Sequence, residues 1–370
     1  MFIKKFFKSI DWLIVIVFIA LFLIGLVALY SANGGVEGDT EEVGKHLAWF
    51  SIGIVFMILL MAIDYEVLAK LWIPLYVLML LSLFLVLFTT PIQGATSWFT
   101  IGTSISIQPS EFSKIFIIIG LARIITWIKE KEKINHVFYL FLILLFLAVP
   151  ILLIVKQPDY GTAMVILALS AIMIFSSGIS MWYVLGSIIA VAVSLPFVYL
   201  YILPEHAKAR IHVFLNPQSD PLDTGYNIIQ SMLAVGSGQV WGMGLFKGNQ
   251  TQLGYLPMKT TDFIFSVISE EMGFVISMAI IVLFVILIVR AFYIAKNAKD
   301  GFGALLATGI ASMLLAHFIE NVGMTIGLMP ITGIPLPFIS YGGSSMLTNC
   351  MAIGILLSIN RKRKKKMFME

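Results

Sequence analysis

The residues best suited to chemistry lie in three short acid-bearing strings. In Thr260-Thr261-Asp262-Phe263-Ile264-Phe265 a carboxylate follows two hydroxyl residues and precedes an apolar run. This is the composition of a helix N-terminus, whose free amides such side chains cap, and equally that of a functional site. Glu270 and Glu271 follow in the same run; ionisable groups in lipid are costly enough to require a partner or a function. Gln108-Pro-Ser-Glu111-Phe-Ser-Lys114 sets an acid three residues before a base, behind a proline suited to a first helical turn. That pair is either structural or part of a site. Gln157-Pro-Asp159-Tyr-Gly161 offers a third carboxylate, a cap or a ligand.

Positive charge accompanies them. The stretch 203–262 holds Lys208, Arg210, Lys247 and Lys259. Arg binds phosphate as a fork and Lys as a point charge, so the stretch suits a diphosphate, while solvated surface charge is its plainer reading. Gly242, Gly244 and Gly248 permit close backbone approach or simply make turns, and no Walker pattern accompanies them. Near the C-terminus, Glu320-Asn321 leads into Pro330-Ile-Thr-Gly333-Ile-Pro335-Leu-Pro337-Phe-Ile-Ser340-Tyr-Gly-Gly343-Ser344. Such irregular backbone beside apolar runs must be buried in protein or line a wet cavity. His46, His136, His206, His212 and His317 show no metal-ligand spacing and read as structural or exposed.

These strings are positioned by a membrane protein. Of the 370 residues, 59% are hydrophobic and 12% charged, with mean hydropathy +0.99, too apolar to cover a soluble surface. One crossing takes ~20 apolar residues as a helix. The expectation is an all-α polytopic fold of about ten spans, near 11–30, 46–63, 71–89, 110–126, 138–155, 160–178, 181–202, 263–289, 302–328 and 338–359. The first run follows Lys4, Lys5 and Lys8 without a convincing cleavage site and reads as an uncleaved span. With the N-terminus inside, most of the 24 Lys and Arg fall in inner segments, leaving Lys45, Lys114, Lys156, Lys208, Arg210, Lys247 and Lys259 outside. Both termini are then cytoplasmic, and Glu111, Lys114, Asp159 and Asp262 share the outer face.

The chain reads as one domain, 1–370, with 203–262 an extracytoplasmic loop between spans seven and eight and 361–370 a basic cytoplasmic tail. The loop is long enough to be functional. Its Ile228-Ile229-Met232-Leu233 stripe, bounded by Gly225 and Gly236, suggests a short amphipathic helix on the membrane surface, packed over the outer ends of the spans. Glu37, Asp39, Glu41 and Glu42 read as a solvated linker. The run Arg361 to Lys366 follows a span directly, which topology and anionic headgroups explain better than nucleic acid. Cys350 is the only cysteine, which excludes an intrachain disulfide.

Taken in this order on such a span pattern, the strings resemble the shape, elongation, division and sporulation family of bacterial peptidoglycan glycosyltransferases, that of RodA and FtsW. The likeness extends to Asn216-Pro217 with Asp220-Pro221, Gly225-Tyr-Asn with Gln230-Ser231, and Tyr341-Gly-Gly-Ser, and covers nearly the whole chain. Ile334-Pro335-Leu-Pro337 resembles the RodA branch more closely. Met258, Thr260 and Ser97 beside Trp98 depart from the family's more frequent Glu, His and Arg.

The resemblance implies polymerisation of lipid II, in elongation and shape maintenance for a RodA-like member, with a class B penicillin-binding protein as partner and no nucleic acid. The GlcNAc 4-hydroxyl of lipid II attacks MurNAc C1 of a glycan carried on polyprenyl diphosphate, with inversion. Asp262 is then the general base. Lys114, Arg210 and a divalent cation, Mg or Mn, would steady the departing diphosphate, with Glu111, Asp159 and Asp262 as candidate metal ligands. Trp98, Glu111, Asp159, Gln230, Glu271, Asn321, Ser340 and Ser344 are the further substrate-binding candidates, with Lys247 from the basic residues of the loop. The alternatives are a lipid II flippase, since buried charge and broken helices also suit transport, and a scaffold without catalysis.

Overall fold

A computed structural model describes residues 10–35, 38, 40–91, 95–101, 105–202, 205–220 and 224–363. Lys4, Lys5, Lys8, Glu37, Asp39, Pro221 and Lys364 to Lys366 lie outside them. The described chain is helical apart from one small hairpin. Its longer helices are α1 (Trp12–Ala32), α2 (Glu41–Ala62), α3 (Tyr65–Leu85), α4 (Pro109–Glu130), α5 (Val137–Lys156), α6 (Tyr160–Ser176) and α7 (Met181–Phe197). After them come α8 (Glu205–Leu215), α9 (Thr224–Ser237), α10 (Asn249–Gln252), α11 (Ile264–Lys296), α12 (Gly301–Thr325) and α13 (Gly343–Arg361). Strands β1 (Phe99–Ile101) and β2 (Ile105–Ile107) pair antiparallel just before α4.

Among the described residues eight helices, α1, α2, α3, α5, α7, α11, α12 and α13, are long and apolar enough to cross a membrane. The remaining two predicted spans coincide with α4 and α6. Helix α6 has 17 residues, and α4 carries Glu111, Lys114, Arg123, Lys129 and Glu130, so length and composition mark neither one as a span.

Helices α12 and α13 form the hub, buried along most of their length, whereas α7 buries nothing and stands at the periphery. Small residues let the hub approach its neighbours: a Cβ on Gly309 would meet Ile118 Cγ2 at 2.5 Å, and one on Gly354 the backbone oxygen of Met57 at 2.6 Å. Without a hydrophobic drive between helices in lipid, such close packing is what holds them.

The predicted span 263–289 is longer and broken. Helix α11 runs over 33 residues, and Gly273 interrupts it at φ 76° and ψ −173°. The loop fills the gap: Met243 and Gly244 amides donate to the carbonyls of Glu270 and Glu271, both at 2.9 Å, and Phe274 N donates to Gln239 O at 2.9 Å. Backbone groups freed by a break in a membrane helix must be satisfied by protein, and this loop supplies the partners.

The short helix expected at the membrane surface, over the ends of the spans, is α9, and it packs on α11 and α12. Ile228, Ser231 and Ala234 are buried, while Leu233 is exposed and Met232, also partly exposed, lies against Gly327. Ser231 Oγ donates to Thr325 O at 2.8 Å and lies 2.7 Å from Ser266 Oγ. The expected four-residue apolar stripe therefore splits, because the buried face is set by small residues meeting α11 and α12.

Candidate functional site

Asp262 sits in the turn before α11, two residues ahead of its first helical position. The proline-rich segment 330–342 wraps this turn. Ser340 Oγ donates to Thr261 O at 2.6 Å and accepts from Leu336 N at 2.8 Å; Tyr341 N donates to Thr260 O at 2.9 Å. From α12, Asn321 Nδ2 donates to Asp262 O at 2.9 Å and to Ile334 O at 2.8 Å. Prolines 330, 335 and 337 keep the segment out of helix, leaving it free to follow the turn. Gly333 takes φ 72°, and a Cβ there would lie 3.6 Å from Asp262 Oδ2.

Burial pushes the Asp262 carboxyl up to about 6, against the opposing pull of a Thr261 hydrogen bond and the Arg210 charge. Arg210, on α8, is anchored by Nη1 to Ile331 O at 3.4 Å. Lys259 turns instead to the loop, its Nζ donating to Thr251 O at 3.1 Å; burial shifts its ammonium downward, with Glu271 and Glu42 acting against the shift.

A second cluster lies across the same segment. A Cβ on Gly161 would meet Thr332 O at 2.5 Å, so the start of α6 presses on the residue next to Gly333. There Asp159 caps α6 by accepting from Thr162 N at 3.1 Å, and also accepts from Ser110 Oγ at 2.7 Å and Gln108 Nε2 at 3.0 Å. Gln108 N donates to Ser344 Oγ at 2.9 Å. One helical turn deeper, Lys114 Nζ donates to Glu111 Oε1 at 2.7 Å and meets His317 Nε2 at 2.8 Å. Lys114 has 0% exposed surface. Glu320 is buried beside them, bonded to Thr332 and within electrostatic reach of Lys114 and Asp159. The two clusters thus share Thr332 and Gly333 as a partition.

Several predicted contact residues have plain structural duties. Glu271 accepts from Ser31 Oγ at 2.5 Å and Gln252 Nε2 at 2.7 Å. Its neighbour Glu270 accepts from Thr251 Oγ1 at 2.6 Å, Gln250 N at 2.7 Å and Thr251 N at 3.0 Å, which caps α10. Asn321, Ser340 and Ser344 hold backbone. Lys247 is exposed; Trp98 and Gln230 are partly buried, with Gln230 Oε1 unpaired. His317 is the participant that sequence reasoning missed. Its signal was helical spacing, since His317, Glu320 and Asn321 fall three and four residues apart.

The three candidate metal ligands do not converge. Glu111 is held by Lys114, Asp159 is spent on three donors, and Asp262 lies beyond the partition. Among the described residues no group of three His, Cys, Asp or Glu side chains is placed to hold an ion.

A family model described as cell cycle protein, joining FtsW, RodA and SpoVE, matches residues 11–365. A probable peptidoglycan glycosyltransferase FtsW of Trichlorobacter lovleyi is 38% identical over 362 residues, 95% of this chain and 93% of the relative. The peptidoglycan glycosyltransferase MrdB of Escherichia coli K12 is 34% identical over 357 residues, 96% and 94% of the two chains. A solved chain from "Structural coordination of polymerization and crosslinking by a peptidoglycan synthase complex" superposes with TM-score 0.83 at 29% identity, covering 96% of this chain and 99% of that one. Relatives of both names match over similar lengths, which establishes the family rather than the RodA branch expected from Ile334 to Pro337. Matching in sequence and in folded shape over nearly its whole length, this chain belongs to the family of FtsW, RodA and SpoVE.

Proposed function

We propose that this chain, a peptidoglycan glycosyltransferase of cell-wall synthesis, polymerises lipid II on the outer face of the membrane with Asp262 as its general base. The observation that carries this reading is the Asp262 carboxyl itself. Its backbone is fixed by Asn321 and its neighbours by Ser340, and its proton affinity is raised to about 6 beside Arg210. A base of that strength is ionised at neutral pH and still accepts a proton in a transition state.

The 4-hydroxyl oxygen of the lipid II GlcNAc forms a bond to MurNAc C1 of the growing glycan while its proton passes to Asp262. The C1–O bond to diphosphate breaks, and the electron pair leaves with the polyprenyl diphosphate. Attack opposite the leaving group turns the α linkage into β. Arg210 supplies positive charge on the Asp262 side of the partition, where the diphosphate oxygens gain charge. Lys114 acts indirectly in this scheme, holding Glu111 and His317 beneath the Asp159 cap.

The excess of Lys and Arg in alternate segments supports cytoplasmic termini and an outward Asp262. The likeness to a chain of a peptidoglycan synthase complex supports a class B penicillin-binding protein as partner. Purified protein incubated with labelled lipid II in detergent, alone and with such a partner, tests the reading. Glycan chains resolved by length are expected from wild type and none from Asp262→Asn. Polymerisation needs no compartments, so a flippase or scaffold would give no product.

A further inference from the structure

At the end of the bundle remote from Asp262, a cavity of about 230 Å³ opens among Asp11, Trp12, Leu13, Arg290, Asn360 and Arg363. It lies between the start of α1, the last third of α11 and the end of α13. At ~1.5 Å per residue, the 17 residues of α11 beyond the break at Gly273 carry Arg290 roughly 25 Å further along the bundle, most of the thickness of a bilayer core. Arg290 Nε donates to Asp11 Oδ2 at 2.7 Å, and the guanidinium lies 4.7 Å from the Tyr293 ring centroid. These contacts fix the plane of the fork, while Nη1 and Nη2 have no acceptor among the described residues. Arg363, exposed at the rim, donates Nη1 to Asn360 Oδ1 at 3.4 Å.

Two guanidinium groups against one carboxylate leave the cavity positive. Its other wall is apolar: Trp12 is 50% and Leu13 45% exposed on the first turn of α1. An indole at a helix end belongs at the boundary of lipid and water. Charge for a phosphate therefore stands beside apolar surface for the start of an acyl chain. Basic pockets between membrane helices recognise acidic headgroups through this pairing.

We propose that this cavity binds the phosphodiester headgroup of an anionic phospholipid, held by Arg290 and Arg363, with its acyl chains leaving past Trp12 and Leu13. Such a lipid ties α1, α11 and α13 together at the end opposite the catalytic one. The sequence neighbours Lys8 and Lys364 add non-specific attraction to any anionic surface, which the test separates from the cavity.

The full chain in detergent is titrated with phosphatidylglycerol, phosphatidylcholine and inorganic phosphate, and bound lipid is counted by native mass spectrometry. One phosphatidylglycerol retained about fivefold more tightly than phosphatidylcholine is expected, the factor one arginine near a headgroup supplies. R363Q, which bonds only Asn360 among the described residues, is expected to remove that preference. D11N is expected to strengthen retention by releasing Arg290, and K364Q/K365Q/K366Q to leave the site intact. Displacement by millimolar phosphate would support the same site with a free anion as ligand; no displacement supports the lipid. The proposal is overturned if the two lipids bind equally, if R363Q and R290Q keep the preference with unchanged melting curves, or if it vanishes with the triple tail variant.

Discussion

The side-chain amide of Asn321 donates to the backbone carbonyls of Asp262 and Ile334, so one residue of α12 fixes both the candidate base and the segment beside it. Neither carbonyl belongs to regular structure, and loss of the amide leaves both without this partner. Each unsatisfied buried group costs about 1–3 kcal/mol. Asn321→Leu is expected to lower the melting temperature and to cut polymerisation at least about tenfold, the loss expected when a catalytic group shifts by a fraction of an ångström. Asp262→Asn is expected to abolish polymerisation without lowering the melting temperature. Paired thermal melts and glycan assays check both.

Asp262 also predicts a pH signature. Burial raises its pKa from 3.8 to about 6. Below the lower value the carboxyl is protonated in folded and unfolded chains alike, and burial costs nothing. Between the two values the unfolded chain ionises first; above the upper one the folded chain carries the whole cost. The shift corresponds to about 3 kcal/mol, and about 2 kcal/mol is expected for a carboxyl that is only partly buried. Asp262→Asn therefore stabilises the protein above pH ~7 and does nothing in acid. With Asp262 as the proposed base, polymerisation is expected to rise with pH through about 6. Arg210→Gln removes a charge that lowers this pKa, so the acid limb of kcat/KM should move to higher pH.

The membrane fold was legible because lipid forces long apolar runs, and the Asp159 string was legible because cap chemistry has a local signature, whereas neither Glu111 nor Asp262 caps the helix that it precedes or starts. What joins the three strings was not legible. Lys114 and His317 are separated by 203 positions, and nothing local marks their contact. Glu270 and Glu271, suspect because they are acids in an apolar run, hold the loop through Thr251, Gln252 and Ser31. The break at Gly273 was hidden because apolar residues continue on either side of it. The order of strings along the chain carried the family; only folded geometry showed that Thr332 and Gly333 divide Asp159 from Asp262.

The Lys114–Glu111 pair has almost no exposed surface, and its members are costly alone. Lys114→Met strands the Glu111 carboxylate and is expected to destabilise by about 3–5 kcal/mol. Lys114→Met with Glu111→Gln removes both charges and should recover most of that loss. Thermal melts give the energetic part. If polymerisation recovers along with stability, the pair only supports the fold; a stable double variant that remains inactive gives the pair a role in placing the Asp159 cap.

The contact between Gly273 and Gly242 yields the sharpest test of how the loop is held. A Cβ on Gly273 would overlap Gly242 N, and one on Gly242 would overlap Glu271 O. Gly273 also occupies a backbone region that is essentially restricted to glycine. Gly273→Ala must push the loop away and strip the hydrogen bonds that cover the break in α11, while helices on either side keep their own. The expected result is rapid proteolysis within 239–258 with the remaining chain intact, read by mass mapping of limited digests, together with lost polymerisation, since the same loop leads into the Asp262 turn. Glu270→Gln keeps one acceptor for Thr251 and should give a milder phenotype in the same assay. A Gly273→Ala protein as resistant as wild type would mean that the loop is held from elsewhere and that the broken helix does not govern its position.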